Sequence, residues 1–240
     1  MARGMGRLTA LIVVVVLLHQ TCNTSTAEDH CTPSCGSILN ISYPFRLTSD
    51  PENCGDQMYN LSCENNQTLV LHLYHERYYV RQINYTDYSI RVVDPSIGLN
   101  ANDQYYSFIP RYSLDRANFS PRDPYQMYAQ GENTHPGSDR MYFVKCEKPV
   151  NSRYHLNISV CFEGGVYSSK TYTYALFWEY RSALKLGDLC QVEQISLASW
   201  SNRYYNDDLR NISCTDFHNK LLWGFELSWF RAYCGCRGEQ

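Results

Sequence analysis

Charge is scarce in this 240-residue chain and neither sign prevails: charged residues make up 19% of it, with 21 Lys and Arg against 24 Asp and Glu. A formal net charge of −3 excludes the broad basic surface that non-specific nucleic-acid binding needs. Long hydrophobic runs are missing too. The Leu8–Leu18 run covers only 11 residues, where a helix crossing a bilayer needs about 20. The best later stretch, Leu221–Phe230, is interrupted by Glu226, and no hydrophobic tail for a lipid anchor follows it. There is no G-x-S-x-G elbow, H-E-x-x-H zinc helix, glycine-rich phosphate loop or EF-hand pattern. His72 and His75, three apart in an expected strand, point to opposite faces and cannot share a metal. Asp207 and Asp208 are adjacent acids on a polar stretch, the pattern of solvated side chains rather than of a glycosidase pair. The reading is of a non-catalytic protein with no cofactor. Disorder and coiled coil are excluded by a hydrophobic content of 44%.

What the chain does have is cysteine, 11 in all. That density belongs to an oxidising compartment. Arg3 and Arg7 before the apolar run, and small residues at Ser25 and Ala27 after it, form a signal peptide over residues 1–27. Its removal takes Cys22 away and leaves an even set: Cys31, Cys35, Cys54, Cys63, Cys146, Cys161, Cys190, Cys214, Cys234 and Cys236. Five bridges and no free thiol follow, so a catalytic cysteine is not expected. Glycosylation sequons at Asn40, Asn60, Asn66, Asn84, Asn118, Asn157 and Asn211 agree with export. The expected location is extracellular.

The cysteines fall into two groups, Cys31–Cys63 and Cys146–Cys236. The natural division is a first unit at 28–98, an irregular connection at 99–140 and a second unit at 141–240. Bridges confined within groups still leave 3 × 15 pairings, about 45, among which sequence does not choose. Acidity sits in the first unit, with four basic and nine acidic residues over 28–98. The fold class is mainly β and disulfide-rich: two small units of antiparallel strands with one or two short helices. Leu69–Tyr74, Tyr78–Tyr85 and Ser89–Val93 read as a meander, and His155–Phe162 and Thr171–Trp178 as further strands, with Gly164-Gly165 turning between them. Strict alternation puts Tyr79, Arg81, Ile83 and Tyr85 on one face of the middle strand and Tyr78, Val80, Gln82 and Asn84 on the other. Near the end Asp216 caps a helix that Gly224 stops, and FELSW returns as a strand. Gly36 and Gly55, each directly after a cysteine, are placed where positive φ lets the chain turn from a bridge. Cys234-Gly235-Cys236 reads as two separate bridges.

Sugar binding needs flat aromatic faces for C–H stacking and planar polar groups for hydroxyls. An acidic sugar also needs arginine, whose fork holds a carboxylate through two parallel hydrogen bonds. The chain has 21 Tyr, 9 Phe and 4 Trp, and its first unit interleaves arginine with tyrosine. The candidate contact set is Arg77, Tyr78, Tyr79, Arg81, Tyr85 and Arg91. Tyrosine equally suits a strand at a core edge with its hydroxyl in water, so composition also fits a structural role. The unit's net acidity opposes a simple polyanion site, although screening over about 8 Å lets a local arginine cluster act. A calcium ion bridging acidic side chains and an acidic sugar is the other route, and no motif supports it.

The runs CTPSCGSILNISYPFRL, PENCGDQMYNLSCENN and YYVRQINYTDYSIRVVDPSI resemble the extracellular galacturonan-binding domain of plant wall-associated receptor kinases, in the leaf-rust-resistance-like branch. The shared features are Cys31, Cys35-Gly36, the box Ser42-Tyr43-Pro44-Phe45, Cys54-Gly55, Cys63 and the strand end Arg91–Asp94. IPRYSL with NFS, then FVKCEKPV, GFELSW and CGC are similar to the C-terminal module that follows in those receptors. The resemblance implies a pectin or oligogalacturonide binder in the cell wall or apoplast. Tyr105 and Tyr106 stand where the family often has a cysteine, and the chain carries no transmembrane span or kinase, so it resembles a receptor ectodomain alone. The alternative is a protein-interaction ectodomain or soluble decoy that engages a receptor or co-receptor in defence signalling.

Overall fold

In a computed structural model, the structure describes residues 31, 34–97, 108–127, 138–162, 171–177, 189–199 and 209–235. The signal segment, Gly164-Gly165, Tyr105, Tyr106, Asp207, Asp208, Cys236 and the side chain of Cys234 lie outside them. Among the described residues are ten strands: β1 Arg46–Leu47, β2 Asn60–Glu64, β3 Thr68–Leu73, β4 Glu76–Asn84, β5 Ser89–Val93, β6 Asp139–Cys146, β7 Leu156–Asn157, β8 Tyr172–Phe177, β9 Cys190–Ala198 and β10 Phe225–Ser228. Helices α1, Cys214–Trp223, and α2, Phe230–Gly235, flank the last strand.

Two sheets form, in the orders β1-β2-β3-β4-β5-β10 and β7-β8-β6-β9. The mainly β, disulfide-rich class is what the composition implied. All pairings are antiparallel except β1 with β2, which is parallel. Residues 225–228 complete the sheet of the first unit: Phe225 pairs with Val92, Glu226 with Arg91 and Leu227 with Ile90. The free side of β10 is covered as well. Gln126 exchanges backbone hydrogen bonds with Ser228, and the Ser138 hydroxyl donates to the Glu226 carbonyl at 2.7 Å while accepting from its N–H. No open strand edge is left there.

The inner face of the six-stranded sheet carries Leu61, Leu69, Leu71, Tyr78, Val80, Ile90, Val92, Phe225 and Leu227 against Phe45, Tyr59, Tyr125 and Trp229. Many of its aromatics meet edge to face: Phe45 with Trp229 at 5.3 Å, Tyr59 with Tyr125 at 5.5 Å and Tyr78 with Phe225 at 5.5 Å. Such pairs contribute about 0.5–1.5 kcal/mol each beyond the area they bury. Tyr59, Tyr78 and Tyr125 are therefore core material, and burial pushes the Tyr59 phenol up to about 12. A second core joins Val93 and Tyr79 of the same sheet to Phe217 and Leu221 of α1 and to Met141 and Phe143 of β6. The opposite side of β6, with Tyr142 and Val144, packs in a third cluster.

Four disulfides cross-link the described residues: Cys31–Cys54, Cys35–Cys63, Cys146–Cys190 and Cys161–Cys214. All stay within their sequence groups. Closing loops of 23 to 53 residues, each stabilises by about 3–4 kcal/mol on the chain-entropy estimate.

Three local expectations are corrected. His155–Phe162 is not one strand: after Leu156–Asn157 the Asn157 side chain accepts from the Ser159 N–H and the chain turns into a short 3-10 segment, Ser159–Cys161. The cap of α1 is Ser213, whose hydroxyl accepts from the Asp216 N–H at 3.1 Å, one turn earlier than expected. Gly36 has φ +56, as its place after Cys35 required, but Gly55 is extended with φ 175. Gly55 serves close approach instead, since a Cβ there would lie 2.7 Å from the Phe45 carbonyl.

Gly224 ends α1 at φ +74, and a Cβ on it would lie 2.0 Å from the Val92 carbonyl. Gly224→Ala is expected to lower stability by at least about 2 kcal/mol, read as a shifted denaturation midpoint. His155 is buried against the Tyr174 ring, with neither ring nitrogen hydrogen-bonded, and burial lowers its pKa. A base whose folded pKa lies below its unfolded value favours folding above the unfolded pKa, about 6.5. Stability is therefore expected to fall as pH drops below that value, and His155→Leu should flatten the decline in pH-dependent melting curves.

Candidate functional site

The site is built on a one-residue irregularity. Val80 pairs with Val92, yet Gln82 pairs with Arg91, so Arg81 is an extra residue in β4. Val80 and Ile83 both pack in the inner core, which leaves Arg81 and Gln82 together on the outer face. Strict alternation is thus broken: Tyr78, Val80, Ile83 and Tyr85 point inward, while Tyr79, Arg81, Gln82 and Asn84 point outward. The bulge places an exposed arginine and an exposed amide side by side opposite Arg91.

Arg91 itself is 9% exposed. Its Nη2 donates to Glu226 Oε2 at 3.1 Å, and Glu226 Oε1 accepts from the Ser89 hydroxyl at 2.8 Å. Over the guanidinium lies the Trp223 ring, 4.4 Å from Cζ to centroid. Burial lowers the Arg91 pKa and the Glu226 carboxylate opposes that shift, so the charge is retained beneath the indole. Nε and Nη1 of Arg91 have no hydrogen-bond partner. Trp223, with one face on Arg91, is 53% exposed. It is delivered there because α1 packs Phe217 and Leu221 against the Val93 region and ends at Gly224, where the chain folds back into β10 beside Arg91.

The expected contact residues divide by face. Arg77, Tyr79, Arg81 and Arg91 share the outer one. Arg77 is exposed but ion-paired with Glu64, and Tyr79 is half-buried against the second core. Among the described residues no carboxylate pairs with Arg81, which leaves it available to an external acid. Tyr78 and Tyr85 lie on the inner face. Tyr78 is 2% exposed, and its phenol is pushed up chiefly by burial, so it cannot stack on a ligand. The Tyr85 hydroxyl accepts from the Ser42 N–H at 2.8 Å and donates to the Ser42 carbonyl at 3.2 Å, which ties down the Ser42–Phe45 box. Arg91 is held by Glu226 and covered by Trp223, so its carboxylate is an internal one. Trp223, Gln82 and Glu226 were not in the expected set.

Sequons occupy varied positions: Asn40, Asn66, Asn118 and Asn211 are exposed, and Asn60, Asn84 and Asn157 are half-buried. The Asn84 carboxamide lies at the edge of the outer face, donating to Asp87 at 2.8 Å and accepting from the Thr86 and Asp87 N–H groups. A pocket between Asp94, Ser196, Leu197 and Phe225 holds no more than a water. Among the described residues no three of His, Cys, Asp and Glu converge as metal ligands, and no helix is long and apolar enough to cross a membrane.

Comparison with known families finds a match within the first unit. Residues 31–94 match the family described as wall-associated receptor kinase galacturonan-binding. No curated protein and no solved structure matches the chain. The matched segment includes β1–β5 and stops before α1 and β10.

Glu226 is the only charge partner of the buried Arg91 guanidinium among the described residues. Glu226→Ala is expected to cost about 1.5–3 kcal/mol in chemical denaturation, because it leaves Arg91 unpaired.

Proposed function

We propose that the protein is a secreted, non-catalytic module that binds pectic polysaccharide, with oligogalacturonide as the preferred ligand. The match of residues 31–94 to a galacturonan-binding family carries this reading. The outer face supports it with fitting chemistry: Arg81 offers a two-pronged contact to a uronate carboxylate and Gln82 offers an amide to hydroxyls. Glu64 and Glu226, two carboxylates of this face, are each engaged by an arginine, so neither repels an acidic ligand at full strength. A polymer repeats its epitope, and weak single contacts sum through avidity. Disulfides and sequons suit an extracellular setting, the apoplast or the wall itself.

Retention on immobilised polygalacturonate at low salt, with and without a chelator, tests the ligand class. The expected result is retention that falls as salt rises, exceeds retention on a neutral glucan, and persists when calcium is removed. Arg81→Ala should weaken it roughly tenfold, about 1.4 kcal/mol. Equal retention on neutral and acidic polymers would contradict the reading. Loss of retention in chelator would assign calcium a bridging part.

A further inference from the structure

We infer that the acidic-sugar site is a composite, in which Trp223 from the C-terminal part of the chain supplies the stacking surface for a uronate whose carboxylate reaches Arg81. This deepens the pectin reading and rests on it. The matched family segment ends at Asp94 and supplies Arg81, Gln82 and Arg91. It supplies no exposed aromatic next to them: Tyr78 and Tyr85 face the inner core, and Tyr79 is packed against the second. Among the described residues, the exposed aromatic that lies on Arg91 is Trp223.

Trp223 is suited to this by how it is held. A surface tryptophan 53% exposed presents apolar area to water at a cost in free energy. Here one face lies on a guanidinium at 4.4 Å, and that guanidinium is fixed by Glu226, itself fixed by Ser89. The indole is therefore oriented before any ligand arrives, and little side-chain freedom remains to be lost on binding. At 53% exposure the ring keeps area for a ligand. Arg91 beneath it pairs across the sheet with Gln82, next to Arg81, so a pyranose laid C–H face down on the indole would take its polar contacts from the bulge on β4. Arg81, with no carboxylate paired to it among the described residues, takes the charge, and Gln82 meets a hydroxyl. Arg91 and Glu226 hold the platform and are positioning residues.

The division of labour predicts distinct losses. Wild-type protein, Trp223→Ala, Trp223→Phe and Arg81→Ala are titrated with oligogalacturonate and with its methyl-esterified form, which keeps the ring and loses the charge. Trp223→Ala should weaken binding of both ligands at least tenfold, Trp223→Phe should recover much of that loss, and Arg81→Ala should weaken only the acidic ligand. Trp223 is exposed, so truncation spares the core, and unchanged thermal unfolding of the variant checks this. Trp223→Ala binding as tightly as wild type would overturn the composite site and leave the pectin reading standing. Failure of wild type to bind either ligand would overturn both.

Discussion

The pairing of β10 with β5 is the contact on which the rest of the molecule depends. Four residues, Phe225–Ser228, close a sheet whose other strands end at Val93, more than a hundred positions earlier in sequence. Alternation along this strand does two jobs at once. Phe225 and Leu227 enter the inner core, while Glu226 faces outward and meets Arg91. Without the strand, Val92 would lose Phe225, Ile90 would lose Leu227 and Arg91 its carboxylate. The first unit, though cross-linked by Cys31–Cys54 and Cys35–Cys63, is therefore completed by the end of the chain.

The same pairing shapes the face proposed to bind the sugar. Residues of α1 must cover the Val93 end of the sheet before the chain reverses, and only a residue with left-handed freedom can turn within contact distance of Val92. Gly224 takes that position, which fixes Trp223 just before it and directly over Arg91. On the neighbouring strand the bulge at Arg81 turns one more polar side chain outward than alternation allows. An oriented indole, a buried guanidinium beneath it and, on the neighbouring strand, an arginine with no ion pair among the described residues follow from two backbone irregularities, a left-handed glycine and an inserted residue. Bulges and positive-φ turns commonly re-aim side chains in this manner next to functional sites.

Much of the fold could be read locally. β3, β4 and β5 were legible because each is a short β-branched and aromatic run bounded by turn residues, and β8 for the same reason. β6 was not, since Met141 and Phe143 are buried on one side and Tyr142 and Val144 on the other, so its apolar run shows no period. β9 carries its own irregularity at Glu193, opposite Phe143 and Val144, which breaks alternation in a polar stretch. The Ser213 cap did leave a signal, the Ser-x-x-Asp spacing with Asp216. For the site, Arg81 and Arg91 were legible from residue chemistry. The inward turn of Tyr85 was not, because the bulge exists only in the register with β5. Trp223 could not be found from sequence, as nothing near position 223 announces the arginine it covers.

The central claim is that one outer face, shared by β4, β5 and the end of α1, receives the acidic sugar. A crystal structure of the protein with a short oligogalacturonate tests it directly. The account predicts a pyranose ring against the open face of Trp223, with its carboxylate on the Arg81 guanidinium. Ligand density on the four-stranded sheet, with Trp223 and Arg81 both left in solvent, would contradict it.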